Sequence, residues 1–412
     1  MKALVIAPQP FFTCRGTPLS VYYRTLITAE LGVSVDLLTY GEGEDVDIAG
    51  VNIIRIPHFK FLGPVKIGPS ILKLYLDIFI FWRTVGLLIK NRYDFIHAHE
   101  EAVFFCWLLK PIFRFKLIYD MHSSLPEQLS NFDFTNSKSL IALFTWLEKR
   151  CLNAAEVTIT ICPSLYNYAR KIAPSKRFVT LIENSIFEDV RFKRSQVLEK
   201  KLDLSLADKR LVVYAGTLER YQGIELLIAG FKIAIQSNRD LFLLIVGGTP
   251  AQVEHYQQLA RDCGVSDRCQ FVGRVSPQSA KHYADMAAVQ VSTRIEGTNT
   301  PLKIYDQIAR NIPLVATNIY SHTQVLDETV AFLVEPTPAG IAAGITAALA
   351  PGLEPKQRAA RARQLYEQRY SRQVYKEKMK VVLDCLRDGV ATRSTVATVS
   401  VQSDRPQERG RQ

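Results

Sequence analysis

The sequence predicts an α/β protein made of two doubly wound domains, each a parallel sheet covered by helices on both faces. Three observations carry this. Short runs rich in Val, Ile and Leu alternate with helix-length segments along nearly the whole chain, the pattern of strands buried on both faces. At 412 residues the chain exceeds what a single hydrophobic core organises. A polar, charged stretch from Glu188 to Lys209 separates two such series.

In order along the chain, residues 1–8 (MKALVIAP) read as a first buried strand, too short and too soon broken by proline for a signal peptide. Val33–Thr39, Val51–Ile56, Phe95–Ala98, Lys116–Tyr119 and Val157–Ile161 follow as strands of the first half. Leu211–Ala215, Leu241–Val246, Cys269–Val272, Val289–Ser292 and Leu314–Ala316 are strands of the second. Two βαβ series in succession make two Rossmann-like domains. Their expected bounds are 1–187 and 188–370, followed by a C-terminal helix over 371–387 in which Val374, Met379, Val382 and Leu386 recur. Residues 388–412 hold no aromatic, Leu or Ile and cannot bury enough apolar area to offset their ordering entropy, so a disordered tail is expected.

Hydrophobic residues at 48% and charged ones at 22% exclude a disordered chain, a collagen or a disulfide scaffold. The seven cysteines form no CxxC pair and suit a reducing compartment. The net charge of +11 asks for an acidic partner. From Arg55 to Asp94 seven Lys/Arg face two Asp among aromatic residues that include Phe59, Tyr75 and Trp82, a composition that suits an anionic membrane surface; a core helix with a solvated basic edge is the alternative. Ile71 to Lys90 is interrupted by Lys73, Asp77 and Arg83, which argues against spanning. No nucleic-acid module is present, so no nucleic-acid partner is expected.

Four constellations carry chemistry. The loop Arg15–Ser20 after the first strand contains Gly16, and a helix beginning near Ser20 offers its positive end to phosphate. His97-Ala98-His99-Glu100-Glu101 and Asp120-Met121-His122-Ser123-Ser124 end two strands and suggest a shared polar crevice. Zinc and local capping are the rival readings; spacing identifies no third metal ligand, so no metal is expected. Tyr214 to Gly223 runs from a strand through Gly216 into a helix, with Thr217, Arg220 and Gln222 as donors for an anion. Ser292 to Asp306 is the most informative. Backbone amides of Thr298 to Leu302, including those of Asn299 and Thr300, can face a diphosphate that Arg294 and Lys303 neutralise, and Asp306 one turn on can take ribose hydroxyls.

Together these residues resemble the family-4 retaining glycosyltransferases of GT-B architecture, over roughly residues 1 to 387. The string from Gly297 to Tyr305, followed by Ile312 to Thr317, is similar to that family's donor segment, and Gly273 and Asn184 fit as well. The resemblance implies two Rossmann-like domains facing a central cleft, with Gly16 in the loop that crosses the donor diphosphate and His122 near the transferred sugar. It places Gly216, Arg220, Arg294 and Lys303 around the phosphates and Arg274 beside the base. It also implies a C-terminal helix bracing the first domain and transfer without a metal or cofactor. Two departures stand out. The family's two acidic residues are eight positions apart, whereas Glu296 and Asp306 are ten apart and Thr298 stands eight before Asp306. Thr217 and Gln222 replace an expected basic pair.

The expected activity is therefore retaining transfer of a hexosyl group from a UDP- or GDP-sugar to a glycan or lipid-linked acceptor in cell-envelope polysaccharide or glycolipid biosynthesis. His122, Glu296 and Asp306 are the residues expected nearest the reacting sugar. The expected location is the cytoplasm, with peripheral attachment to the inner face of the plasma membrane as the membrane reading of residues 55–94. A nucleotide-sugar epimerase or hydrolase of the same fold and a non-enzymatic membrane-surface scaffold are the alternatives.

Overall fold

The computed structural model describes residues 1–13, 16–59, 61, 63, 65, 70–124, 138–184, 187 and 209–388. Arg15, the linker stretch up to 208 and the tail from 389 onward lie outside these residues.

In the first domain β1 (Lys2–Ala7), β2 (Ser34–Thr39), β3 (Val51–Arg55), β4 (Phe95–His99), β5 (Lys116–Met121), β6 (Val157–Thr160) and β7 (Phe178–Leu181) form one sheet in the order 3-2-1-4-5-6-7. In the second, β8 (Arg210–Ala215), β9 (Leu241–Val246), β10 (Cys269–Gly273), β11 (Val289–Ser292), β12 (Leu314–Thr317) and β13 (Phe332–Val334) repeat the pattern as 10-9-8-11-12-13. Every strand pairing in both sheets is parallel. This is the doubly wound α/β architecture that the sequence predicts. β7 and β13 are not among the expected strands; each sits at a sheet edge.

Alternate side chains of β1 feed two cores. Leu4 and Ile6 join one with α2 (Ile71–Lys90), α3 (Ala102–Phe113), α4 (Lys138–Ala154) and α5 (Pro163–Ile172). Ala3, Val5 and Ala7 join the other with α1 (Gly16–Glu30). In the second domain α6 (Ile224–Ser237), α7 (Pro250–Asp262), α8 (Pro277–Asp285), α9 (Leu302–Ile308), α10 (Tyr320–Thr323), α11 (Pro338–Ala348) and α12 (Glu354–Arg369) surround the sheet. The last helix, α13 (Arg372–Asp388), belongs to the core of the first domain: Tyr375, Met379, Val382, Leu383 and Leu386 form one helical stripe packed with Val5, Val21 and Tyr22. Lys378 fixes it further through Glu183, 2.7 Å away.

Strand order reverses between β1 and β4 in one sheet and between β8 and β11 in the other. Ligands of open parallel sheets collect at the carboxyl ends of strands flanking such a point. The four constellations all lie there.

Candidate functional site

On the first domain, in-register pairing of β4 with β5 sets His99 opposite Asp120. Asp120 is wholly buried, and three imidazoles converge on it. His97 Nε2 lies 3.0 Å from Asp120 Oδ2, His99 Nδ1 3.0 Å from His122 Nε2, and His122 Nε2 3.4 Å from Asp120 Oδ1. The rings of His97 and His99 stack with centroids 4.6 Å apart. The compensating charge comes from α1: Arg24, also wholly buried, places Nε 2.9 Å from Asp120 Oδ2. Burial raises the Asp120 pKa, but Arg24 and the imidazoles outweigh it and hold the carboxyl well below the usual range. Burial pushes His99 well down and His122 down to about 4, against the pull of Asp120. The cluster thus holds one ion pair, with His99 and His122 neutral.

His97, His99 and Asp120 offer ligand atoms within 4.8 Å of one another, so the structure supplies the third metal ligand that spacing did not reveal. Register across two strands brings it there, and register is invisible in spacing. Its charge is already answered, however: a divalent cation on Asp120 Oδ2 would sit against the Arg24 guanidinium, and the repulsion of two unscreened cations in a buried site is severe.

On the second domain the turn after β8 and the loop after β11 are bolted together. Thr293 Oγ1 donates to the Gln222 carbonyl at 3.0 Å and the Ile295 N–H to the Tyr221 carbonyl at 2.9 Å. Gly223, at φ +67°, makes this possible, since a Cβ there would overlap the Thr293 carbonyl oxygen. Gly223→Ala is accordingly expected to cost about 1–3 kcal/mol through left-handed strain and that overlap, read as a lowered denaturant midpoint. Inside this frame Tyr214 donates to the Thr217 carbonyl at 2.7 Å, while Lys303 Nζ donates to Gln222 Oε1 at 3.1 Å and sits 4.1 Å over the Tyr214 ring. Arg294 lies over the Tyr221 ring at 5.2 Å and donates to the Glu296 and Asn299 carbonyls. Burial, aided by Arg294, pushes the Lys303 amine down to about 7. Among the described residues no carboxylate pairs with Lys303 or Arg294. Two basic groups held together without a counter-ion make a seat for an anion. His322, pushed down to about 4 by burial, ties the ends of β11 and β12 together through Ser292 Oγ at 2.9 Å and the Thr317 carbonyl at 2.8 Å.

The two halves meet at the loop between them. Asn299 Nδ2 donates to the His122 carbonyl at 2.9 Å, and Gln324 joins the Thr298 carbonyl at 2.6 Å to the Ser164 N–H at 3.3 Å. An anion on Lys303 and a group beside His122 would thus share one cleft.

Residues 21–187 match the family model for Glycosyltransferase Family 4, and residues 199–365 the model for Glycosyl transferases group 1. The chain belongs to the family-4 glycosyltransferases. It is 24% identical over 283 residues to D-inositol 3-phosphate glycosyltransferase of Corynebacterium diphtheriae, across 63% of this chain and 65% of that relative, just under two thirds of its length. In fold it is similar to sucrose-phosphate synthase from Thermosynechococcus elongatus, with a TM-score of 0.71 at 19% identity over 94% of this chain and 99% of the other. It is also similar to Anabaena HepE, solved in complex with UDP, with a TM-score of 0.68 at 15% identity over 93% and 100%. The fold is GT-B.

Within this family-4 chain, His122, Gly216, Thr217, Arg294, Thr298, Asn299 and Lys303 lie on the loops just described. Gly16 is the first residue of α1, so the helix starts four residues earlier than expected. Arg220 opens a short 3-10 turn and, like Arg274 after β10, is exposed. Thr300 is half-buried beside Asn299. The two expected acidic residues do not converge. Glu296 is exposed, and the Asp306 carboxylate is gripped by Arg310 on both oxygens, at 3.0 and 2.8 Å. Arg24, Gln222 in its bond to Lys303, and His322 were missed. Arg24 lies with Ser20 and Thr28 at i, i+4 spacing in α1, where residues 18–25 are buried on every side of the helix.

Proposed function

We propose that this chain moves a hexosyl group from a UDP- or GDP-sugar to a glycan or lipid-linked acceptor, with retention and without a metal. The observation that supports this most is the carboxylate-free Lys303–Arg294 pair, facing the loop that Asn299 ties to His122. As the bond to the sugar breaks, negative charge grows on the leaving diphosphate. Preorganised cations and amides in a water-poor cleft stabilise it more than they stabilise the ground state. Lys303 and Arg294 take that role, with exposed Arg220 as a further basic residue on the same turn as Gln222. His122, neutral and wedged between His99 and Asp120, orients the sugar and contacts it in the transition state. Attack by the acceptor on the face that the diphosphate leaves needs no enzyme nucleophile.

A thermal-shift screen of UDP-, GDP- and ADP-sugars is expected to show the preferred donor as the largest rise in melting temperature, since ligand binding stabilises by mass action. With that donor, nucleoside diphosphate release should depend on added acceptor. Release at full rate without acceptor would point to hydrolysis, and no shift with any donor would remove the reading.

A further inference from the structure

The outer side of α2, α3 and α4 carries more than a helix layer needs. Among the described residues, eleven of the seventeen large apolar side chains left exposed lie between Phe61 and Trp146. Isolated exposed apolar residues are ordinary, but a contiguous set marks a docking surface. On α2 the set forms a second stripe, Ile71, Leu74, Ile78 and Trp82, distinct from the buried stripe of Leu76, Ile80, Thr84 and Leu87. Ile71 is 79% exposed and Trp82 66%. Ile112 and Trp146 extend it over α3 and α4, where Trp107 and Trp146 meet edge to face at 6.0 Å. The chain has three tryptophans, and all of them are on these three helices.

The charges on the same layer have one sign. Arg83 and Lys90 of α2 and Lys149 and Arg150 of α4 are exposed. The carboxylates of these helices are turned inward: Asp77 accepts from Tyr40 at 2.6 Å, buried Glu148 accepts from Ser124 at 3.1 Å, and α3 has none. A protein-facing patch would mix both signs around its rim. Tryptophan anchors ringed by cations alone match the boundary of an anionic bilayer, where indole rings sit at headgroup depth and basic side chains meet lipid phosphates. No helix among the described residues is long and apolar enough to cross a membrane, so the contact is one of surface seating.

We infer that the α2–α3–α4 face docks on an anionic phospholipid surface. The inference stands on this face and is independent of the donor chemistry.

The test uses the full chain with vesicles of 30% phosphatidylglycerol in phosphatidylcholine and with pure phosphatidylcholine. Tryptophan emission is a direct reporter, because every indole lies on the face. A blue shift and co-sedimentation are expected with the anionic vesicles, and a loss of binding as salt rises. Each neutralised basic residue should weaken binding about fivefold, so the variant carrying Arg83→Gln, Lys90→Gln, Lys149→Gln and Arg150→Gln should lose more than a hundredfold. Trp82→Ser with Trp146→Ser should abolish binding at unchanged melting temperature, since both side chains are exposed. Equal binding to neutral vesicles, or binding that survives the fourfold variant, overturns the inference. So does failure to bind lipid combined with a concentration-dependent dimer that the tryptophan variant dissolves, which would assign the face to a second copy.

Discussion

Arg24→Leu is expected to destabilise the protein by about 3–5 kcal/mol, the cost of leaving one partner of a buried ion pair uncompensated. Few single substitutions here should cost more, because Arg24 serves three elements at once. Its Nε meets Asp120, Nη2 donates to the Ile182 carbonyl at 3.3 Å, and Nη1 lies 3.8 Å from Met379 Sδ with the Tyr375 ring 5.1 Å away. Met379 and Tyr375 belong to α13, so the helix that returns from the second domain rests on the same guanidinium that holds the histidine cluster. The pH dependence identifies the cause. In the wild type Asp120 has a folded pKa below its unfolded value, so its stabilisation is present above about pH 4 and is lost only as pH falls through the folded pKa. Without Arg24, burial, the largest influence on Asp120, is expected to lift the folded pKa above the unfolded one against the imidazoles that remain. The penalty then exists where the carboxyl is ionised and fades as pH falls. Urea unfolding should therefore show a wider gap between wild type and variant at pH 7.5 than at pH 5, and Asp120→Asn added to Arg24→Leu should recover part of the loss. Equal gaps at both pH values would mean that lost packing, and not the charge of Asp120, explains the effect.

What the sequence revealed and concealed divides along physical lines. Buried parallel strands announce themselves as Val/Ile/Leu runs, so eleven strands were legible, while β7 and β13, at the two sheet edges, were not. Loops at strand ends are local, so the placement of the Tyr214–Gly223 and Ser292–Asp306 segments at the carboxyl ends of two strands could be read before any fold was known. Long-range partners were another matter. Asp120 meets His97 through strand register, Gln222 meets Lys303 across 81 residues, and Asn299 meets His122 across 177. Asp306 shows the opposite error: its spacing on α9 suggested a ribose contact, but the i, i+4 neighbour Arg310 engages its carboxylate. Glu296 likewise is exposed, and neither acidic side chain pairs with Lys303 or Arg294.

Lys303→Ala is expected to weaken donor binding by about 1–3 kcal/mol and to lower kcat by about 10²–10³-fold, the scale of losing one preorganised donor to a developing oxyanion. The sharper expectation concerns protons. Burial and Arg294 hold the free amine at about 7, so at pH 8 most of it is neutral. A diphosphate seated against it favours the ammonium and lifts that pKa, so binding must take up a proton. Calorimetry at pH 8 in buffers of different ionisation enthalpy should show uptake approaching one proton for a nucleotide sugar, whose diphosphate is already fully ionised. By the same linkage, affinity should be level below about pH 7 and fall up to about tenfold per unit above it. His122 and His322, both near 4, are silent in this range. Asp77 near 8 and Glu100 near 7 do titrate there, but they belong to the first domain and remain in the alanine variant. Uptake that vanishes in Lys303→Ala places the leaving diphosphate on Lys303, whereas uptake that persists at full size moves the proton, and the phosphate seat, to another group.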